Sequence, residues 1–298
     1  MLISDPLRLD FLDHYTNILH TLGSRGRLAL VTQIASSVNR YRPETCCAIG
    51  NYYSLSSRHE DAVYQFRLAL QLDRNFSSAW TLLGHEYFKL GNSHAAVEAY
   101  MRAVEGNNKD YRAFVGLGVV YEGLEKPTFS LHYYRRAVAL RPDDGELWQM
   151  TATCLMGMER VPQAIEALKK AITYSGHQTG NRPGDALDAR CKRIELYFQL
   201  ANAYEEVQER AKAIKYMEIC LDESDDEGRG DVEGHLRTAI VFILNRSRLL
   251  LARWAAEDGD DTRARYLVSQ VDQKSEFAED AQVLLRTLVA TEEGSRGE

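Results

Sequence analysis

The chain has 298 residues, of which 45% are apolar and 27% charged, with only six prolines and twenty glycines. That is enough hydrophobic material for a continuous core, and it argues against a loop-rich or disordered chain. A net charge of −7 argues against a nucleic-acid binder, which needs a basic face to displace counterions.

From the N-terminus onward, MLISDPLRLD lacks the basic-then-apolar pattern of a signal peptide. No segment approaches eighteen consecutive apolar residues, so no membrane contact is expected. Residues 9–40 read as a degenerate helix pair: Ala35 is in register with Ala69, but Thr16 stands where the register of Gly50 asks for glycine.

A period then takes over. Gly50, Gly84, Gly118 and Ala152 recur at one constant interval. The same interval separates Ala62, Ala96, Ser130 and Ala164, and again Ala69, Ala103, Ala137 and Ala171. Cys46, Trp80, Phe114 and Trp148 form a column of large residues, and Tyr53, Tyr87, Tyr121 and Leu155 another. Trp80, Leu83 and Tyr87 make one apolar helical stripe. Gly91-Asn92 and Arg141-Pro142 supply the helix breaks. Glycines and alanines in register bring a helix A against a helix B, and Phe66, Tyr100 and Tyr134 are expected to fill the gaps between repeats.

A period of about 34 residues with W-x-x-L-G-x-x-Y is the tetratricopeptide-repeat pattern. The implied fold class is all-α: a right-handed superhelical solenoid of antiparallel helix pairs, stabilised by neighbour stacking. The expected layout is a degenerate pair over 1–40 and four regular repeats over 41–176. An inserted loop and helix start occupy 177–193, and a fifth repeat 194–222. An acidic linker (223–234), a sixth degenerate repeat with a capping helix (235–290) and a disordered tail (291–298) complete it. Ala201 and Ala252 continue the column of Ala152 but arrive later than the period requires, so the last two repeats are displaced by insertions.

No catalytic constellation is present. Gly116 and Gly118 fall inside a helix A rather than in a phosphate loop, and the histidines form no H-E-x-x-H pair. The five cysteines (46, 47, 154, 191 and 220) have no C-x-x-C spacing and read as buried apolar residues in a reducing compartment. The expectation is therefore a protein that is not an enzyme and carries neither cofactor nor metal. In such arrays helix A lines an inner groove. Counting positions selects Glu44, Cys47 and Asn51, then Thr81, His85, Phe88 and Lys89, then Arg112, Val119 and Glu122; later repeats offer Gln149, Thr153, Met156, Phe198, Asn202, Glu205 and Glu206. Amide, aromatic and acidic groups together suit an extended peptide with a basic side chain. The lysine and asparagine clamp of co-chaperone repeats is not matched, since only Asn51 and Arg112 fit.

The strings YRPETCCAIGNYYSL (41–55), AWTLLGHEYFKL (79–90), NKDYRAFVGLGVVYEGL (108–124) and HYYRRAVALRPDD (132–144) closely resemble subunit eight of the anaphase-promoting complex. The resemblance implies a scaffold subunit of that ubiquitin ligase, active in mitosis and found in nucleus and cytoplasm. Its implied partners are other subunits of the complex, a short arginine-containing motif of a WD-repeat coactivator, and a homodimer through upstream repeats that have no counterpart in this sequence. Carried over by motif, the coactivator site comprises Asn51 of GNYYS, His85 and Glu86 of GHEY, and Tyr121 and Glu122 of VVYE. With Phe88, Lys89, Arg112 and Val119 these form the expected groove. The alternative is an unrelated adaptor of the same repeat type, or a co-chaperone-like module binding an extended peptide.

Overall fold

The structure, a computed structural model, describes residues 11–175, 183–225, 235–272 and 275–295. Among them are fifteen α-helices and no strand. The chain divides into two compact units, one up to Pro142 and the other from Asp143.

Unit one holds α1 (Leu12–Thr21), α2 (Arg25–Asn39), α3 (Pro43–Leu55), α4 (His59–Leu72), α5 (Ser77–Lys89), α6 (Ser93–Gly106), α7 (Tyr111–Gly123) and α8 (Pro127–Leu140). Unit two holds α9 (Gly145–Gly157), α10 (Val161–Ser175), α11 (Pro183–Glu206), α12 (Arg210–Asp225), α13 (His235–Glu257), α14 (Asp261–Ser269) and α15 (Ala278–Ser295). Within each unit, consecutive helices pack as antiparallel pairs, and each pair stacks on the next. The last helix continues to Ser295, past residue 290 where the sequence suggested a tail. Of the two insertions, 176–182 and 226–234 lie outside the described residues, while Pro183 already starts α11.

Every pair is folded by the same turn. Gly23, Ser57, Gly91, Glu125 and Glu159 stand one period apart, and all have φ between 56° and 74°. Gln208 and Gly259 repeat the turn beyond the two insertions, with φ of 64° and 80°. The residue after each left-handed one donates its N–H to the carbonyl five places back: Arg58 to Tyr53, Asn92 to Tyr87 and Lys126 to Tyr121, all at 2.9 Å. This is the Schellman closure, which satisfies carbonyls orphaned at a helix end. Gly23 puts the first pair in register too. The irregularity at Thr16 is local: its hydroxyl is fully buried but donates to the Asp13 carbonyl at 3.1 Å.

Core packing follows from the small columns. Ala62, Ala96, Ala69, Ala103, Ala137, Ala164 and Ala171 are all fully buried. The aromatic column packs more locally than expected: the Tyr100 ring lies against Gly84 of its own pair, and against Gly116 of the next. A Cβ on Gly84 would come within 2.6 Å of that ring, and one on Gly116 within 2.4 Å. Helix starts are capped by Asn92, which accepts from Ala95 N–H at 3.1 Å, and by Asp110 and Asp144.

Candidate peptide-binding face

Because Tyr100 and Tyr134 pass between helices beside glycines, their hydroxyls emerge on the helix-A side. Tyr100 Oη meets His85 Nδ1 at 2.7 Å, and Tyr134 Oη donates to Glu122 Oε2 at 2.7 Å. The same rings that fill the core thus fix two side chains of the inner face. His85 is partly buried, and burial first, then the charges of Lys89 and Arg112, push its pKa down to about 4 against the opposing pull of Glu86 and Asp110.

Two of the expected ligand contacts lie inside the protein instead. Asn51 is 1% exposed, covered by α1, and its amide donates to Asn17 Oδ1 at 2.7 Å and to Thr16 Oγ1 at 3.3 Å. Glu86 is 2% exposed. Its carboxylate accepts from Ser54 Oγ (2.7 Å) and Lys89 Nζ (2.8 Å), and lies 2.7 Å from His59 Nδ1. Burial opposes its charge, but hydrogen bonds from Lys89, Ser54 and His59 outweigh that and hold the carboxyl below its ordinary pKa. Ser54 also meets His20 Nε2 at 3.1 Å, so this junction ties α1, α3, α4 and α5 together. Helix periodicity marks both residues as near the groove stripe, but it does not say that a neighbouring helix A already covers them.

Tyr121 also leaves the expected site. Its ring stacks on Phe129 (5.4 Å) and Tyr133 (5.5 Å), between α7 and α8. In unit two, Phe198 is buried beside Ile194 and Cys220, with Ile240 and Leu244 of α13 against it.

What stays open lies along α5 and α7. Phe88 is 40% exposed, Glu122 is exposed, and His85, Val119 and Arg112 are partly buried. Arg112 is steadied by Asp110 at 3.2 Å, whose other oxygen accepts from buried Thr81 at 2.8 Å. Lys89 remains part-exposed with its ammonium on Glu86. Sequence reasoning overlooked Ser54, His59 and Asp110. The column that selects Phe88 and Glu122 also contains Ser54, one period before Phe88, so that one was within reach. His59 and Asp110 lie at helix starts, outside the stripe. Among the described residues, no group of three or more His, Cys, Asp or Glu side chains is arranged to hold a metal ion, and no helix is long and apolar enough to cross a membrane.

Residues 77–110 and 194–226 match the family model of the tetratricopeptide repeat. The chain carries tetratricopeptide repeats. Over 94 residues it is 50% identical to anaphase-promoting complex subunit CDC23 of Saccharomyces cerevisiae, covering 32% of this chain and 15% of that one. Over 170 residues it is 34% identical to cell division cycle protein 27 homolog B of Arabidopsis thaliana, covering 57% of this chain and 23% of the relative. The chain thus spans under a quarter of the length of these relatives, and its likeness extends to more than one type of subunit. In fold it resembles the crystal structure of the APC/C hetero-tetramer Cut9-Hcn1, with a TM-score of 0.61 at 18% identity, over 96% of this chain and 50% of that one.

Proposed function

We propose that this tetratricopeptide-repeat chain is a non-catalytic scaffold of the anaphase-promoting complex, in nucleus and cytoplasm, that holds neighbouring subunits and a short arginine-containing coactivator peptide. The observation that carries the assembly part is the 50% identity to a subunit of that complex. The peptide part rests on the open stretch of α5 and α7. There the Glu122 carboxylate, anchored by Tyr134, offers an acceptor for a guanidinium, and Phe88 and Val119 offer apolar contact beside it. A charge-assisted bond beside apolar side chains is stronger than a surface ion pair in open water. Asn51 and Glu86 then act indirectly, by locking α1, α3 and α5 in place. His85, Lys89 and Arg112 border the site.

Titrating a labelled arginine-containing peptide into the purified chain tests the site. Glu122→Gln and Phe88→Ala should each weaken binding about tenfold with unchanged helicity, and the loss for Glu122→Gln should shrink as salt rises. Wild-type affinity in both variants would refute it. Affinity purification with mass spectrometry tests the assembly separately: recovery of peptide binding without subunits of the complex would point to an unrelated adaptor of the same repeat type.

A further inference from the structure

The opposite side of unit one carries a second recessed surface. A trench of about 430 Å³ runs between α4 and α6, floored by Leu70, Trp80, Leu83 and Tyr87. Its origin can be read one repeat further on. There Phe129 and Tyr133 stack on Tyr121, and Tyr133 Oη reaches Met101 Sδ at 3.7 Å, so aromatic rings occupy the equivalent space. The residues one period earlier are Ala95, Ala99 and Arg67. Two methyl groups stand where two rings would close the groove, and Tyr87 is left facing a cavity.

The trench is rimmed by cation. Arg67 spends one N–H on Tyr87 Oη at 2.8 Å, and among the described residues neither it nor Arg74 has a carboxylate within ion-pair distance. Glu98 is the acid that lines the trench. One repeat earlier a similar trench, of about 540 Å³ between α2 and α3, is lined by the half-buried Tyr52 and Tyr53 beside Arg40, which is in register with Arg74. No acid lines that one. Three guanidinium groups against one carboxylate is a local reversal of sign in a chain of net charge −7.

We propose that these two consecutive trenches form a docking site for one extended acidic peptide carrying two bulky apolar side chains. Helix pairs stack roughly 10 Å apart, and a peptide in the polyproline II form advances about 3.1 Å per residue and returns a side chain to the same side every third residue, so the two apolar side chains should stand about three residues apart. The apolar groups enter the trenches over Tyr53 and Tyr87, while flanking carboxylates meet Arg40, Arg67 and Arg74. Such pairing, bidentate where the guanidinium edge is free, selects carboxylates over neutral amides.

The test uses a fluorescein-labelled peptide, Glu-Asp-Phe-Asp-Glu-Leu-Glu-Asp-Glu, and a control with Gln and Asn in place of the acids, followed by fluorescence anisotropy on the whole chain. The acidic peptide should bind at least tenfold more tightly than the control, with affinity falling as salt rises. Arg74→Glu, at an exposed position, should weaken it tenfold or more. Ala95→Phe with Ala99→Tyr, which installs the residues of the following repeat, should abolish it. Should that double variant lose helicity, Arg74→Glu decides alone. Glu122→Gln and Phe88→Ala, on the other face, should leave this binding unchanged. Equal affinity for both peptides, wild-type affinity in Arg74→Glu, or loss of binding in Glu122→Gln would each overturn the proposal.

Discussion

The pairs α5/α6 and α7/α8 share one backbone design yet differ at several columns. The first has Gly91 in its turn, buried Ala96, the small pair Ala95 and Ala99, and buried Glu86; the second has Glu125, Ser130, the rings of Phe129 and Tyr133, and Val120. Turn geometry and ring-on-glycine packing survive these differences. Small residues and one hydrogen-bonded turn therefore set the period. The remaining columns are free to make a polar junction in one repeat and a sealed aromatic stack in the next.

The largest expected effect comes from breaking what the two pairs share. Tyr100 is held between Gly84 and Gly116, so Gly84→Leu has no direction in which to displace the ring. Overpacking typically costs about 1–3 kcal/mol, and this site belongs at or above the upper end. Thermal or urea unfolding measures it. Gly123→Ala in α7, where an added Cβ meets nothing within 4 Å, should be neutral or slightly stabilising.

A second test sharpens the contrast between His85 and Val119, which occupy the same column. In the folded chain the His85 ring stays neutral down to about pH 4, with Nδ1 hydrogen-bonded to the Tyr100 hydroxyl, whereas an unfolded histidine titrates near 6.5. The unfolded state therefore binds more protons between those values. The neutral-ring contribution is complete above pH 6.5 and is lost as pH falls toward 4, by at most about 3 kcal/mol. His85→Val should flatten the stability profile over that window in urea titrations at stepped pH.

The smallest effect concerns Ser130, which stands in the alanine column. Its hydroxyl is fully buried and, among the described residues, has no hydrogen-bond partner. Ser130→Ala should therefore stabilise the chain by about 1 kcal/mol, raising the thermal midpoint. An unchanged or lower midpoint would mean that a water or a shifted rotamer serves the hydroxyl.

The repeat fold was legible because columns such as Ala69, Ala103 and Ala137 must be small wherever two helices touch, and that requirement is written in the sequence at a fixed interval. The turn residues were less legible: glycine marks the left-handed position at 23, 91 and 259, but Ser57, Glu125, Glu159 and Gln208 adopt it without that signature. The site was legible only as a stripe. Helical phase places Asn51 and Phe88 on the same side of their helices, but burial is decided by the neighbouring helix, and α1 covers Asn51 while Phe88 stays open. Pairings such as His59 with Glu86 fall off any column, and no period announces them.

The left-handed turn has a consequence for how such a chain changes over evolutionary time. It recurs at Gln208 and Gly259 although extra chain has entered before each of them, because those additions lie between hairpins or lengthen the first helices α11 and α13, and never enter the turn. Each hairpin is therefore a cassette: it carries its own bend and its own closing hydrogen bonds, and duplication, loss or lengthening at its borders leaves the fold of its neighbours intact. A foreign segment placed after Gly91 would separate the two strokes of a single hinge.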